Sequence, residues 1–386
     1  MAYDAYINAM GACLPNAPID NEQMEGVLGA LGRQSSRTRR VVLRNNGIRL
    51  RHYALDPETG ELTHTNAQMT AQAVREAAVH SGGTDRVELL SCGTSSPDQL
   101  MPNHASMVHG ELGDAPRELV ATAGICLAGV TALKHAWQAV RGGDVKVAVS
   151  TGSELASTFM RSRYLQPAGG ERTPEEVEAH PELAFEAEFL RWMLSDGAGA
   201  ALLEREPSGP GPSLRIDWIE TCSFAHELDP CMYAGAVKDS QGRLRSWRDY
   251  PDAASMQTDD ALAVKQDVRL LNEHIVEYTL GQGLSRLLRR RPLAAGDVDW
   301  FLPHYSSAWF REQVAQKLDE LDFEIPESRW YTNLATRGNT GSASIYLMLE
   351  ELFNSGRLSA GDRLLCFIPE SGRFSTGFIH LTVVEP

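Results

Sequence analysis

Nowhere in the 386-residue chain does an apolar run approach the ~20 residues that a membrane-spanning helix needs, so no membrane span is expected. The opening MAYDAYINAMGACLP has no basic stretch followed by an apolar one, and no secretory signal is read there. Basic side chains are in deficit: 36 Lys and Arg stand against 51 Asp and Glu, a formal net charge of −15. Nucleic-acid binding needs a concentrated basic surface, and the overall balance argues against it. Paired cysteines are missing too. Cys13, Cys92, Cys126, Cys222, Cys231 and Cys366 are scattered, with no CxxC pair and no metal-type spacing. In a chain of this size without an export signal they read as reduced thiols. The expectation is a cytoplasmic protein without a metal.

What is present is ordinary globular material, 42% hydrophobic and 23% charged, long enough for two packed halves at 1–205 and 206–386. Two segments share one pattern. ELVATAG, ICLAGVTALKHAWQAVRGG and DVKVAVSTGSE read as strand, turn, helix and strand, the helix resting on Leu127, Val130, Leu133, Ala136, Trp137 and Val140. TNLATRGNTGSASIYLMLEELFNSG followed by RLLCFIP repeats the unit in the second half, which suggests an internal duplication. Apolar strands alternating with helices predict an α/β fold with buried, largely parallel sheets. LSDGAGAALLE adds a strand near the end of the first half, and VRLLNEHIVEYTLGQGLSRLLRRR reads as helical. Residues 206–263, rich in Pro, Gly and polar side chains, predict a surface excursion and part of a substrate cover.

Three residues stand where chemistry is done. Cys126 opens a helix directly after a strand, where exposed N–H groups and the helix dipole lower a thiol pKa. Gly124, Ala128 and Gly129 around it permit a sharp turn. Alone, it reads more readily as a buried small hydrophobe, as most unpaired cysteines are. His304 in FLPHYSS ends an apolar strand, where ligand crevices open, although a structural histidine fits there as well. Asn339 in RGNTGSAS stands at the mouth of the second helix, where a cap or turn residue is the alternative.

Taken together, AGICLAGVTAL, LSDGAGAALLE, DVDWFLPHYSS and GNTGSASIYLMLEEL resemble the β-ketoacyl-acyl-carrier-protein synthase III group of thiolase-fold condensing enzymes. GIRLRHYALD (47–56) and SGRFSTGF (371–378) match in position as well, so the resemblance runs along nearly the whole chain. It implies a thiolase fold, two βαβαβ halves in five αβαβα layers, and a homodimer. Cys126 would be acylated by an acyl thioester, His304 and Asn339 would hydrogen-bond the oxygen of the second thioester, and the N–H groups of Cys126 and Gly372 would form an oxyanion hole. No tightly bound cofactor is implied. The acyl groups would arrive on the phosphopantetheine of an acyl carrier protein or on coenzyme A.

The chain also departs from the group. PESGRFSTG carries Glu370 and Arg373 where a run of glycines is usual, and an ion pair between the two is expected. The Trp that stacks on coenzyme A has no counterpart near RQSSRTRRVVLRNNG, which favours a carrier protein as donor. Arg37, Arg39 and Arg40 would meet it, within a cluster that includes Arg44, Arg49 and Arg51; a solvated face is the alternative. CFIPESGRFS is most similar to the ketosynthase/cyclases of dialkylresorcinol and stilbene biosynthesis, which join two β-ketoacyl thioesters and close a cyclohexanedione. For that closure Glu154 in STGSELAS is the candidate base, or else a structural acid. Phe159, Met160, Leu165 and Met193 are candidates for the acyl pocket. An acyltransferase to an alcohol or amine, and a non-catalytic partner subunit, remain open.

Overall fold

VAVSTGSE and GAGAALLE are built from small and β-branched residues, and both form strands buried along nearly their whole length. In the computed structural model, which describes residues 3–30, 36–165, 190–209, 211–239 and 241–385, they lie side by side in the middle of one large sheet. The chain runs β1 (Tyr6–Cys13), α1 (Ser36–Asn46), α2 (Asn66–Ala78), β2 (Leu89–Thr94), α3 (His104–Leu112), β3 (Glu118–Ala123), α4 (Leu127–Gly142), β4 (Val147–Glu154) and β5 (Gly197–Glu204). It continues β6 (Ser213–Ser223), α5 (Val268–Val276), α6 (Gly283–Arg290), β7 (Trp300–Pro303), α7 (Phe310–Glu320), α8 (Ser344–Phe353), β8 (Arg363–Glu370) and β9 (Ser375–Val384).

The strand order is β7-β8-β9-β6-β1-β5-β4-β2-β3. The strands of the two halves meet at a narrow seam, where Tyr6 and Ile7 of β1 pair with Arg215 and Leu214 of β6. α2 and α3 cover the outer side of the first group, and α5, α6 and α7 cover the outer side of the second. Between the two groups lie α4 and α8, the helices that follow the cysteine and the asparagine. This is the thiolase fold, in the five layers the resemblance implies.

The pairing directions differ from expectation. β2–β3, β2–β4 and β7–β8 are parallel, but β1–β5, β1–β6, β4–β5, β6–β9 and β8–β9 are antiparallel. Continuous apolar strands report that both faces are covered, and they say nothing of direction. The excursion also begins later than 206. SLRIDWIETCS is the full-length strand β6, registered against β9 from Ser213 to Ser223, and the chain leaves the sheet only after Ser223. The long helical stretch is two helices joined by a π turn, Glu277–Gln282. Among the described residues no helix is long and apolar enough to cross a membrane.

α4 and α8 come close because glycine clears the way. A Cβ on Gly152 of β4 would lie 2.3 Å from the Ser342 carbonyl oxygen and 2.8 Å from the Tyr346 ring. A Cβ on Gly129 of α4 would meet the same two residues at 2.6 and 2.9 Å. Tyr346 fills the space from α8, donating its hydroxyl to the Gly129 carbonyl at 2.9 Å, with the Ser150 hydroxyl 2.6 Å away. Gly152→Ala is therefore expected to cost about 3 kcal/mol of stability, by overpacking against main chain that cannot give, measured by urea unfolding against wild type.

Candidate active site

Cys126 is the N-cap of α4, at the point where β3 turns back into the molecule, and only 8% of it is exposed. The Thr122 hydroxyl donates to the Ala128 carbonyl at 2.7 Å and braces that turn. None of the six cysteines is in a disulfide. The helix start acts on this thiol against two opposing influences. Burial pushes its pKa well above the ordinary range, and the negative charges of Glu370 and then Glu154 add to the effect. Glu370 is held close by its Oε2, which accepts the N–H of Ile125 at 3.0 Å and of Leu127 at 2.9 Å, on either side of Cys126.

His304 follows β7 and is fixed by its own N–H, which donates to the Phe367 carbonyl of β8 at 2.8 Å. Burial holds its imidazole down at about 4, so at neutral pH it is uncharged. Cys126 and His304 line one apolar cavity of about 40 Å³ with Leu271, Ile275 and Val276 of α5, Phe310 and Val314 of α7, and Phe367. That volume suits a water or two and is too small for an acyl chain. The candidates read for this pocket lie elsewhere. Phe159 and Met160 pack with Met24, Leu28 and Trp192, Met193 packs in the core cluster that holds Ile48 and Leu334, and the side chain of Leu165 is outside the described residues.

Asn339 is held by main-chain bonds to Met193 and Ser195, at 2.9 and 2.8 Å. Its Oδ1 accepts the Gly341 N–H at 3.0 Å, so the amide NH₂ is the part left to donate. Glu154 ends β4 and is 3% exposed. Its Oε1 accepts from the N–H groups of Ser95 and Ser342, both at 3.2 Å, and its Oε2 from the hydroxyls of Ser95 and Ser96 at 2.6 and 2.7 Å. Burial raises its pKa against these four donors. A Cβ at Gly341 would meet Glu154 Cγ at 2.8 Å, so this carboxylate is the support on which the Asn339 loop rests.

Gly372 lies against the residue before the cysteine: a Cβ there would be 3.1 Å from Ile125 Cδ1. Its carbonyl accepts the Cys231 N–H at 2.9 Å, which ties the excursion to the site. The expected ion pair between Glu370 and Arg373 is not formed. Arg373 Nε donates instead to the Leu228 carbonyl at 2.9 Å, because the turn points the two side chains at different backbone partners. Of the arginine cluster, Arg40 is exposed on α1 and the side chains of Arg37 and Arg39 lie outside the described residues. Arg51 belongs to no surface: it is 0% exposed and donates to the Trp192 carbonyl. Sequence reasoning missed Ser95, Ser96 and Ser342. The signal for the first two needs the β2–β4 register, which sets Thr94 beside Ser153.

A pH dependence of stability arises from His304. Its folded pKa, about 4, lies below the usual 6.5, so between those values the unfolded chain binds the proton first. Stability is expected to fall as pH drops from about 6.5 to 4. The slope of unfolding free energy against pH should shrink by up to about 1.4 kcal/mol per pH unit in His304→Asn.

Residues 37–208 match the family described as beta-ketoacyl synthase, N-terminal domain, and residues 288–372 match the 3-oxoacyl-[acyl-carrier-protein (ACP)] synthase III C terminal. The beta-ketoacyl-[acyl-carrier-protein] synthase III of Xanthomonas oryzae pv. oryzae is 24% identical over 362 residues, covering 93% of this chain and 92% of its own. That of Cereibacter sphaeroides is 25% identical over 367 residues, 95% of each chain. Among solved structures, the tetronic acid condensing enzyme AbyA1 superposes with a TM-score of 0.74 at 23% identity, covering 98% of this chain and 99% of that one. OleA of Xanthomonas campestris with lauric acid and lauroyl-CoA gives 0.72 at 20% identity, over 99% and 100%. With this fold and these relatives, the protein is an acyl-transferring condensing enzyme with the thiolase fold, similar to the β-ketoacyl-[acyl-carrier-protein] synthases III.

Proposed function

We propose that Cys126 takes an acyl group from a thioester and that the enzyme condenses it with a second, β-ketoacyl thioester, closing the product to a cyclohexanedione that leads to an alkylresorcinol. The observation that carries this reading is the cavity itself. A buried thiol at a helix start and an uncharged imidazole share one small, apolar space, and Asn339, on the loop before α8, has its NH₂ left to donate.

Each part has a task. The thiolate of Cys126 adds to the acyl carbonyl and the carrier thiol leaves, which splits one hard condensation into two easier steps. The second thioester then gives its α-proton, acidified by the two flanking carbonyls, to solvent and becomes an enolate. A neutral imidazole donating one hydrogen bond and the Asn339 amide donating another stabilise its oxygen without placing a charge in a dry site. The N–H groups of Cys126 and Gly372 serve the tetrahedral oxyanion. Glu154, with both oxygens engaged twice, supports the Asn339 loop; as a cyclisation base it must first release a donor.

The curated relatives are named for acyl carrier protein, and such a carrier is the donor we favour over coenzyme A, docking at Arg37, Arg39 and Arg40. The protein acts in the cytoplasm as a homodimer. Among the described residues the strand β3 has a neighbour on one side alone, and its residues are mostly half or fully exposed, which suits pairing with its copy across a two-fold axis. Light scattering should then return about twice 42.4 kDa.

Intact-protein mass spectrometry tests the chemistry with acyl- and β-ketoacyl-thioesters on carrier protein and on coenzyme A. An acyl adduct is expected on wild type and absent from Cys126→Ala. Asn339→Ala should still form the adduct but make the carbon–carbon bond about 10²-fold more slowly, the usual loss for one oxyanion donor. Transfer of the adduct to alcohols or amines alone would mark an acyltransferase, and no adduct at all a partner subunit. Glu154→Gln should lower condensation and ring closure together. An open-chain product made at the wild-type rate would instead make Glu154 the cyclisation base.

A further inference from the structure

The wall of the Cys126 cavity is not equally firm all round. Phe367 and Pro369 come from β8, a strand paired on both sides, with β7 and with β9. Ile275, Val276 and Thr279 come instead from the end of α5 and from the π turn after it. Glu277, Gly281 and Gln282 of the same turn line a second, outer cleft of about 700 Å³. Packed interiors transmit displacement rather than absorb it, so a wall yields where there is space behind it. The backbone here suits movement as well. A π turn is a rare element that is frequent at functional sites, and the Thr279 hydroxyl donates to the Ile275 carbonyl, a bond of the kind that bends helices. One charged tie crosses from the turn to α7: Lys317 Nζ donates to Glu277 Oε2 at 2.9 Å and also meets Glu320. Gly281 leaves that carboxylate its place, since a Cβ there would lie 3.1 Å from Glu277 Oε2. Lys317 continues the stripe of α7 that closes the cavity, one turn beyond Val314 and two beyond Phe310.

We infer that the π turn Glu277–Gln282 is the part of the wall that gives way to an acyl chain, and that Lys317, by holding Glu277, governs which chains enter. This rests on Cys126 being the nucleophile and on its acyl group lying in this cavity. Lys317 touches no reacting atom and acts through the wall. Widening the cavity carries the turn outward into the cleft and away from α7, which draws the Glu277 carboxylate off the ammonium. An acetyl group ends one methyl beyond its carbonyl and asks little of the wall, whereas a chain of six or more carbons cannot be seated without the movement. The ion pair therefore weighs on long acyl groups and spares the shortest. Phe224 adds an uncharged hold on the same turn, an edge contact with Tyr278 at 5.5 Å between ring centres. The charged hold is open to solvent, with the Lys317 side chain 22% and the Glu277 side chain 50% exposed, so dissolved salt weakens it.

The test follows acylation of Cys126 by intact mass in a single turnover, with acetyl, hexanoyl and decanoyl thioesters of N-acetylcysteamine. That thiol is too small for a lost carrier contact to imitate the effect. Lys317→Met keeps an unbranched side chain and removes the charge. It should react with hexanoyl and decanoyl groups about fivefold faster than wild type, the most that an exposed ion pair contributes, while its acetyl rate stays within about twofold. Salt raised from about 0.05 to about 0.5 M should speed the decanoyl reaction more in wild type than in Lys317→Met. Lys317→Arg should behave as wild type. Glu277→Gln removes the other half of the pair, should shift the rates the same way, and serves if Lys317→Met does not fold. An equal change for acetyl and decanoyl groups, no change for either, or the same change in Lys317→Arg overturns the proposal. If wild type forms no adduct with any thioester, the nucleophile reading fails instead. The wall is then read by alkylating Cys126 at alkaline pH with iodoacetamide and with its N-octyl derivative. Lys317→Met should favour the octyl reagent more than wild type does, and an unmoved ratio overturns the wall by itself.

Discussion

The contact between α4 and α8 is the constraint on which the site depends. One helix begins at Cys126 and the other follows the Asn339 loop, so their separation sets the distance between the proposed nucleophile and the proposed donor. Tyr346 fixes it, wedged where Gly129 and Gly152 leave no Cβ and bonded through its hydroxyl to the Gly129 carbonyl. Interiors packed this closely move as units, and the strands on either side inherit the spacing. Glu154 repeats the device one layer away, joining the ends of β2 and β4 to Ser342 through hydrogen bonds to a single carboxylate. Packing places the helices, and the carboxylate places the loop.

Electrostatically the site favours neutral forms. Burial raises the thiol of Cys126 and lowers the imidazole of His304, and both shifts oppose charge in a low-dielectric space. That suits a reaction whose intermediates are oxyanions, since hydrogen-bond donors act more strongly when water and counter-charges are absent. The negative groups near the sulfur are exceptions that the backbone compensates. Glu154 and Glu370 are held by N–H and O–H donors rather than by cations, so neither brings a positive charge into the cavity.

Much of this was legible in the sequence, and the limits have physical causes. Leu127 to Val140 at helical spacing, closed by Gly142 and Gly143, located α4 closely. Burial showed in the apolar strands, but direction did not, since a strand covered on both faces has the same composition either way. SLRIDWIETCS was hidden behind EPSGPGP, whose turn residues coloured the reading of the strand after them. The positions of Cys126, His304 and Asn339 could be read because each comes after a local punctuation, a strand end or a glycine turn. The role of Glu370 could not. Its partners Ile125 and Leu127 are 245 and 243 residues away, and only the return of β8 to the core brings them together. Arg51 misled for a related reason: among the arginines of the cluster whose side chains are described, it is the one the fold carries inside.

The small cavity beside Cys126 makes chain length a matter of thresholds. A pocket of about 40 Å³ has to widen for an acyl chain to enter it, and on the proposed function that opening precedes any gain from the chain. Each methylene seated between Leu271, Ile275, Phe310 and Val314 returns about 0.8 kcal/mol. A short acyl group meets the whole opening cost with little return, whereas a longer one passes the point where the sum turns favourable. On the proposed function, length preference behaves as a step rather than a slope, set by how firmly α5 and α7 are packed.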